Sequence, residues 1–323
     1  MDPWVYVVIG LLALIAIYLT FSYFAYRKFF MVRSLPEIQF VDHDSEFFRP
    51  SHEWYLKAPK EDVSIRAYDG TLLTGVFLPS IDEKSLLTAI VMHGYRSRAT
   101  DMIVIAKLYN DMGFKVLMVN QRAHGDSEGN FTTFGQYEKL DLKKWILFAL
   151  RNYGSTDSIL LHGASMGAAT VLMASKLELP DNIKLIVADS SYTNLRALYF
   201  AVAKPKITRI FYPGIDFFVW KKHHFLMGEV SPKKAVSDGR IPIFLWHGKA
   251  DEMVPYEMAG ELLESSKSPF KELYSVENAL HTQSYVIDRP GVEKRLSEIV
   301  AMLFPTYKNV KAKKEKTSQN KSA

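Results

Sequence analysis

The segment Leu160-Leu161-His162-Gly163-Ala164-Ser165-Met166-Gly167 constrains this chain more than any other. An apolar run at 158–161 leads into G-x-S-x-G, and residues 168–177 then read as a buried helix. Strand, sharp turn and helix follow in that order. The glycines stand where two backbones approach too closely for a Cβ. Such a turn leaves Ser165 at its apex. A serine hydroxyl is a poor nucleophile alone, so the pattern asks for a histidine base, an orienting carboxylate and backbone N–H donors.

The surrounding sequence supplies a scaffold for that turn. Residues 63–68 alternate as a strand, Asp69-Gly70 makes a hairpin turn, and 72–78 form the return strand. Beyond them, apolar strands are predicted at 88–92, 115–120, 158–162, 183–188, 243–246 and 271–274, with helices at 100–112 and 134–153. Short apolar strands separated by helices imply an α/β fold, a mostly parallel central sheet with helices on both faces. The alternation breaks at 191–239, a stretch rich in aromatics that includes Tyr199, Phe200, Phe211, Tyr212, Phe217 and Phe218. An insertion before the penultimate strand, carrying aromatics that need something to cover, reads as a helical cap over the site.

The amino terminus carries a second message. No charged residue occurs from Pro3 to Tyr26, and residues 5–24 are mostly apolar. Twenty such residues span roughly 30 Å of hydrocarbon. Trp4, Tyr6, Tyr23 and Tyr26 fall where interfacial aromatics are expected. A cleaved signal peptide fits poorly, because no Lys or Arg precedes the run, the run is long, and no A-x-A site follows. The expectation is therefore a single-pass transmembrane anchor at 1–30 and an amphipathic linker at 31–60 broken by Pro36, Pro50 and Pro59. A catalytic-sized domain at 61–306 and a basic disordered tail at 307–323 complete the chain. Arg27, Lys28 and Arg33 follow the span and Asp2 precedes it, so the positive-inside tendency favours a cytoplasmic domain.

Charge and cysteine content narrow the partners. The net charge is +5, and the tail after Tyr307 holds six lysines against Glu315, which accounts for all of it. The remaining chain is neutral, which argues against a nucleic-acid-binding domain. The absence of cysteine excludes disulfides, thiolate metal sites and a cysteine nucleophile. His223-His224 has no carboxylate cluster beside it, so neither a metal nor a cofactor is expected.

The acid and the base should follow the serine in the order Ser, Asp, His. Asp251 lies just past the strand at 243–246, and His281 is the only histidine downstream of it. Asp251 would hold His281 Nδ1–H, leaving Nε2 to take the Ser165 proton. Glu252 and then Asp189 are weaker candidates for the acid. His93, His124, His162 and His247 read as structural, His247 packing beneath the acid loop. For an oxyanion, the backbone N–H of Met166 and that of Tyr95, in the loop after strand 88–92, are the expected donors.

On MHGYRSRA, NQRAHGDSEG, LLHGASMG, WHGKADEMVP and ALHT, spread over residues 60–305, the chain resembles alpha/beta-hydrolase-fold serine hydrolases. It is similar to the membrane-anchored bacterial cell surface hydrolases and to the Bem46-like and serine aminopeptidase-like branches. The resemblance implies a triad of Ser165, Asp251 and His281, with RAHGDSEG supporting the site rather than reacting. It also allows an extracellular domain. The function expected is cleavage of carboxylic esters, acyl or lipid-like, by a serine esterase. A peptidase or amidase is the alternative, followed by a non-catalytic binding module. The peptidase reading lacks identifiable acidic anchors for a substrate amine.

Overall fold

Each run expected as a strand after residue 60 forms one in the computed structural model, which describes residues 2–32, 45–155 and 157–307. The strands are β1 (Glu61–Arg66), β2 (Leu72–Leu78), β3 (Leu87–Met92), β4 (Lys115–Val119), β5 (Ser158–Ala164), β6 (Ile183–Asp189), β7 (Ile243–Gly248) and β8 (Lys271–Val276). They make one sheet of eight in the order β1-β2-β4-β3-β5-β6-β7-β8. The β1–β2 and β2–β4 pairs are antiparallel and the rest parallel. The helices in chain order are α1 (Pro3–Phe30), α2 (Arg49–Lys57), α3 (Ile103–Asp111), α4 (Glu138–Tyr153), α5 (Met166–Ala174) and α6 (Leu195–Val202). They continue as α7 (Tyr212–His223), α8 (Pro232–Val236), α9 (Glu257–Ser265), α10 (Ser284–Ile287) and α11 (Arg289–Leu303).

The inner parallel strands β3, β5, β6 and β7 are mostly apolar because both of their faces are covered, whereas the edge strand β8 is half-exposed. In β3, Ala89 and Val91 join a cluster with α3 and α11, while Ile90 and Met92 join one with α4, α5 and α9. This two-residue alternation divides each strand between two cores. The sheet thereby brings the carboxyl ends of β3, β5, β6 and β7 to one edge, where loops can converge.

Two local expectations shift for identifiable reasons. The helix expected at 134–153 begins at Glu138, since Phe134 adopts a positive φ of 52°. The buried Glu138 carboxylate instead gathers the preceding loop, accepting the N–H groups of Thr133 and Gly135, each at 2.8 Å. In the linker, Pro50 opens α2 rather than breaking it, because the first turn of a helix does not need its N–H. Pro36 and the tail from residue 308 lie outside the described residues.

The N-terminal helix differs more. Among described residues it is the one helix long and apolar enough to cross a membrane. Its residues from Pro3 to Ile17 are almost entirely exposed, but Tyr18, Ser22, Tyr26 and Phe30, four apart, face the protein. Tyr26 and Phe30 are 3% and 0% exposed and share a cluster with Met166 and with Tyr192, Leu195, Ile215 and Val219 of the insertion. Phe30 C=O accepts the Thr132 N–H at 2.9 Å. The last turns of α1 are thus core.

Candidate active site

The elbow is built by close backbone approach. A Cβ on Gly163 would sit 2.2 Å from the Gly167 backbone, and one on Gly167 would sit 2.4 Å from the Met92 carbonyl oxygen. Ser165 between them has φ 53° and ψ −112°, a strained conformation for a residue with a Cβ. It is pinned by its N–H donating to Asp189 C=O at 2.8 Å and its C=O accepting from Ala169 N–H at 3.0 Å. Gly163→Ala is expected to lower stability by about 3 kcal/mol, since backbone cannot rotate away from the new methyl. A shift in the urea midpoint measures this, and an unchanged midpoint would refute the geometric requirement.

Three side chains from three loops meet at this apex. His281 Nε2 lies 2.9 Å from Ser165 Oγ, and His281 Nδ1 lies 2.7 Å from Asp251 Oδ2. An ionised carboxylate only accepts, so Nδ1 carries the hydrogen and Nε2 is free to accept from the serine. Asp251 is nearly buried, at 6% exposed. Burial alone would raise its pKa. Hydrogen bonds from His247 and His281 and from the Val254 N–H overcome this and hold it well below the usual carboxylate range. Its Oδ1 accepts from Met253 N–H at 2.9 Å and from Val254 N–H at 2.8 Å. Glu252 faces solvent. Asp189 is buried beside the elbow, where burial pushes its carboxyl up and Ser190 Oγ donates to it at 2.9 Å.

The loop after β3 passes directly over the serine. A Cβ on Gly94 would lie 3.4 Å from Ser165 Cβ and 3.6 Å from the Ala164 carbonyl oxygen. Met166 is the first residue of α5, so its N–H has no intrahelical acceptor. The loop after β4 braces the β3 loop at two points. His93 Nε2 accepts from Gln121 N–H, and His124 Nε2 accepts from Arg96 N–H, both at 3.0 Å. Arg122, in the RAHGDSEG segment, is held by both Asp141 oxygens at 2.7 Å and by Asp69 at 2.8 Å. These bonds tie the segment to α4 and to the turn between β1 and β2.

Two contributors escaped the sequence reading. His247, placed beneath the acid loop as expected, also brings Nε2 within 3.1 Å of Asp251 Oδ2 and 2.9 Å of Val254 C=O. Its signal was the spacing of four residues to Asp251. Ser190 links Asp189 to the residue after His281, accepting from Thr282 N–H at 3.2 Å. No motif marks that serine. His223, in the insertion, contacts Tyr26 Oη at 2.6 Å through Nε2. Among the described residues, no group of three or more His, Asp or Glu side chains is arranged to hold a metal.

The buried histidines set an acid limit. Burial lowers the pKa of His93 and of His162 to about 3. An unfolded histidine binds its proton near pH 6.5. The unfolded chain therefore takes up protons that the folded chain refuses between pH 6.5 and 3, and stability falls as pH falls through that window. Each histidine contributes a slope of up to about 1.4 kcal/mol per pH unit. Urea midpoints at pH 7 and pH 4 test this; a flat profile would contradict it.

Comparison with known proteins supports the topology. A family model described as alpha/beta hydrolase fold matches residues 90–212. The uncharacterized protein YqkD of Bacillus subtilis is 30% identical over 221 residues, covering 66% of this chain and 70% of its own length. YfhR of Escherichia coli O157:H7, also uncharacterized, is 26% identical over 271 residues, covering 80% and 88%. Among solved structures, the Pyrococcus furiosus esterase Pf2001 matches with a TM-score of 0.63 and 27% identity over 77% of this chain and 94% of that one. Sheet order, elbow and these matches agree: the chain belongs to the alpha/beta-hydrolase-fold family, with esterases among its structural neighbours.

Proposed function

We propose that this chain is a membrane-anchored serine hydrolase that cleaves carboxylic esters through an acyl-enzyme. The observation that carries the reading is the continuous hydrogen-bonded line Asp251–His281–Ser165, at 2.7 and 2.9 Å. Ser165 Oγ attacks the ester carbonyl while His281 Nε2 takes its proton. The N–H groups of Met166 and Tyr95 stabilise the oxyanion. Collapse expels the alcohol, which receives the proton from His281, and leaves the acyl group on Ser165. A water deprotonated by His281 then attacks the acyl carbonyl, releasing the carboxylic acid and restoring the serine. Asp251 stabilises the imidazolium in both halves.

The rings of Tyr95, Phe134 and Phe29 stack in sequence beside the elbow, with centroids 5.2 and 5.0 Å apart. An aromatic wall of this kind favours an apolar acyl group, lipid-like or otherwise, over a charged peptide terminus. An uncleaved anchor is supported by the burial of Tyr26 and Phe30, because removal of α1 would take core residues with it. The cap is assigned to 191–239 and the hydrolase domain to 61–306. A series of p-nitrophenyl acyl esters compared with aminoacyl p-nitroanilides tests the assignment. Ester turnover without anilide turnover is expected. Anilide turnover at comparable rates would replace the esterase with a peptidase.

A further inference from the structure

We propose that the cap is itself a membrane-inserted element, its tip at Lys206–Phe211 entering the lipid beside α1. The inference rests on reading α1 as a membrane span.

From Tyr18 onward, α1 is occupied by the cap. Tyr18 Oη donates to Ile210 C=O at 3.0 Å and accepts from Gly214 N–H at 3.1 Å. The rings of Tyr18 and Phe21 lie 5.9 and 6.0 Å from that of Phe211. Only the stretch from Pro3 to Ile17 stands clear, and at 1.5 Å per residue it is about 22 Å long. A bilayer core is about 30 Å thick. The missing 8 Å or so can come only from the turns of α1 that the cap already flanks, so the cap enters to about that depth. Interfacial amphipathic helices bury their apolar faces to a similar depth, about 5–10 Å.

The composition of the cap fits the boundary this fixes. Eight ångströms beyond Ile17 is about five residues, which places the edge of the hydrocarbon near Ser22. Helix α7 runs alongside α1 in the same direction. Ser22 meets Gly214, Tyr23 meets Phe218 at 5.2 Å, and Tyr26 meets His223. Below the edge the cap exposes Ile207 and Ile210, at 65% and 53%. At or above it stand the exposed Tyr23 and the half-exposed Trp220, followed by Arg27 and Lys28 on one helix and Lys221 and Lys222 on the other. Apart from Arg209, which donates to Phe200 C=O, and Asp216, which accepts from Met227 N–H, the segment 207–222 and α1 therefore both run from aliphatic through aromatic to cationic residues, the order found across a membrane interface. Lys204 and Lys206, exposed at the rim of the tip, are long enough to snorkel to headgroups.

The consequence concerns substrate access. Phe29, whose backbone C=O accepts from Tyr95 Oη at 3.1 Å, then stands about 10 Å above the hydrocarbon edge. An ester carried on a membrane lipid would reach Ser165 by a short rise out of the bilayer.

The chain has no cysteine, so single-cysteine variants of the full-length protein report depth directly. Ile207→Cys and Ile210→Cys, carrying an environment-sensitive nitrobenzoxadiazole label, are reconstituted in phosphatidylethanolamine–phosphatidylglycerol vesicles with lipids brominated on the acyl chains. Leu12→Cys on free α1 and Ile81→Cys, beyond the far end of β2, serve as references. The expected result is blue-shifted emission and loss of intensity to brominated lipid at 207, 210 and 12, and neither at 81. Quenching at 12 with water-like emission at 207 and 210 would overturn cap insertion and leave the anchor standing. Water-like emission at 12 would overturn the anchor as well.

Discussion

Ser165→Ala is expected to lower kcat/KM for an acyl ester by about 10⁶-fold while leaving thermal unfolding within a few degrees of the parent. The large loss follows from removing the atom that forms the acyl-enzyme. Residual turnover about 10³–10⁴ above water would come from binding and the oxyanion donors. The small stability effect follows from geometry. Alanine keeps the Cβ and hence the same backbone strain at φ 53°, and the pinning bonds to Asp189 and Ala169 are main-chain. Activity retained in the alanine variant would remove Ser165 from the chemistry.

The second large effect belongs to Asp251→Asn, for which kcat/KM should fall by about 10⁴-fold. The reason can be read from the four groups around the carboxylate. If the amide NH₂ occupies the Oδ2 position, it faces His281 and pushes the hydrogen to Nε2, where the ring can no longer accept from Ser165. If it occupies the Oδ1 position, it meets the N–H groups of Met253 and Val254, two donors with nothing to accept them. The first placement breaks the line to the serine, and the second keeps it only by setting the NH₂ against those two donors, at the cost of stability and of the ring's position. Glu252→Gln, at a solvent-exposed position, should leave the rate near that of the parent. A larger loss at Glu252 than at Asp251 would mean that the acid is misplaced.

Much of this site was legible because its constraints are local. The glycines of the elbow report a backbone collision, and the order Ser165, Asp251, His281 reports the order of strand ends. The burial of β3 and β7 appears as uninterrupted apolar runs in the sequence. What escaped depends on contacts between distant segments. The apolar run at 3–26 suits lipid on every side, so hydrophobicity alone could not show that Tyr18, Ser22, Tyr26 and Phe30 face the cap. Only their spacing of four residues, with polar hydroxyls on three of them, carried that signal. The role of Ser190 was invisible, since a serine that joins two loops has no pattern of its own. The start of α4 is hidden in the sequence because Phe134 and its neighbours have a helical pattern, while the buried carboxylate of Glu138 claims the N–H groups of Thr133 and Gly135.

The most direct test of an activated serine is covalent. The folded full-length protein would be treated with a fluorophosphonate and the adduct located by peptide mass mapping. The account predicts one adduct per chain, on the peptide holding Ser165, and none when the protein is denatured first. An adduct on another residue, or none on folded protein, would contradict it.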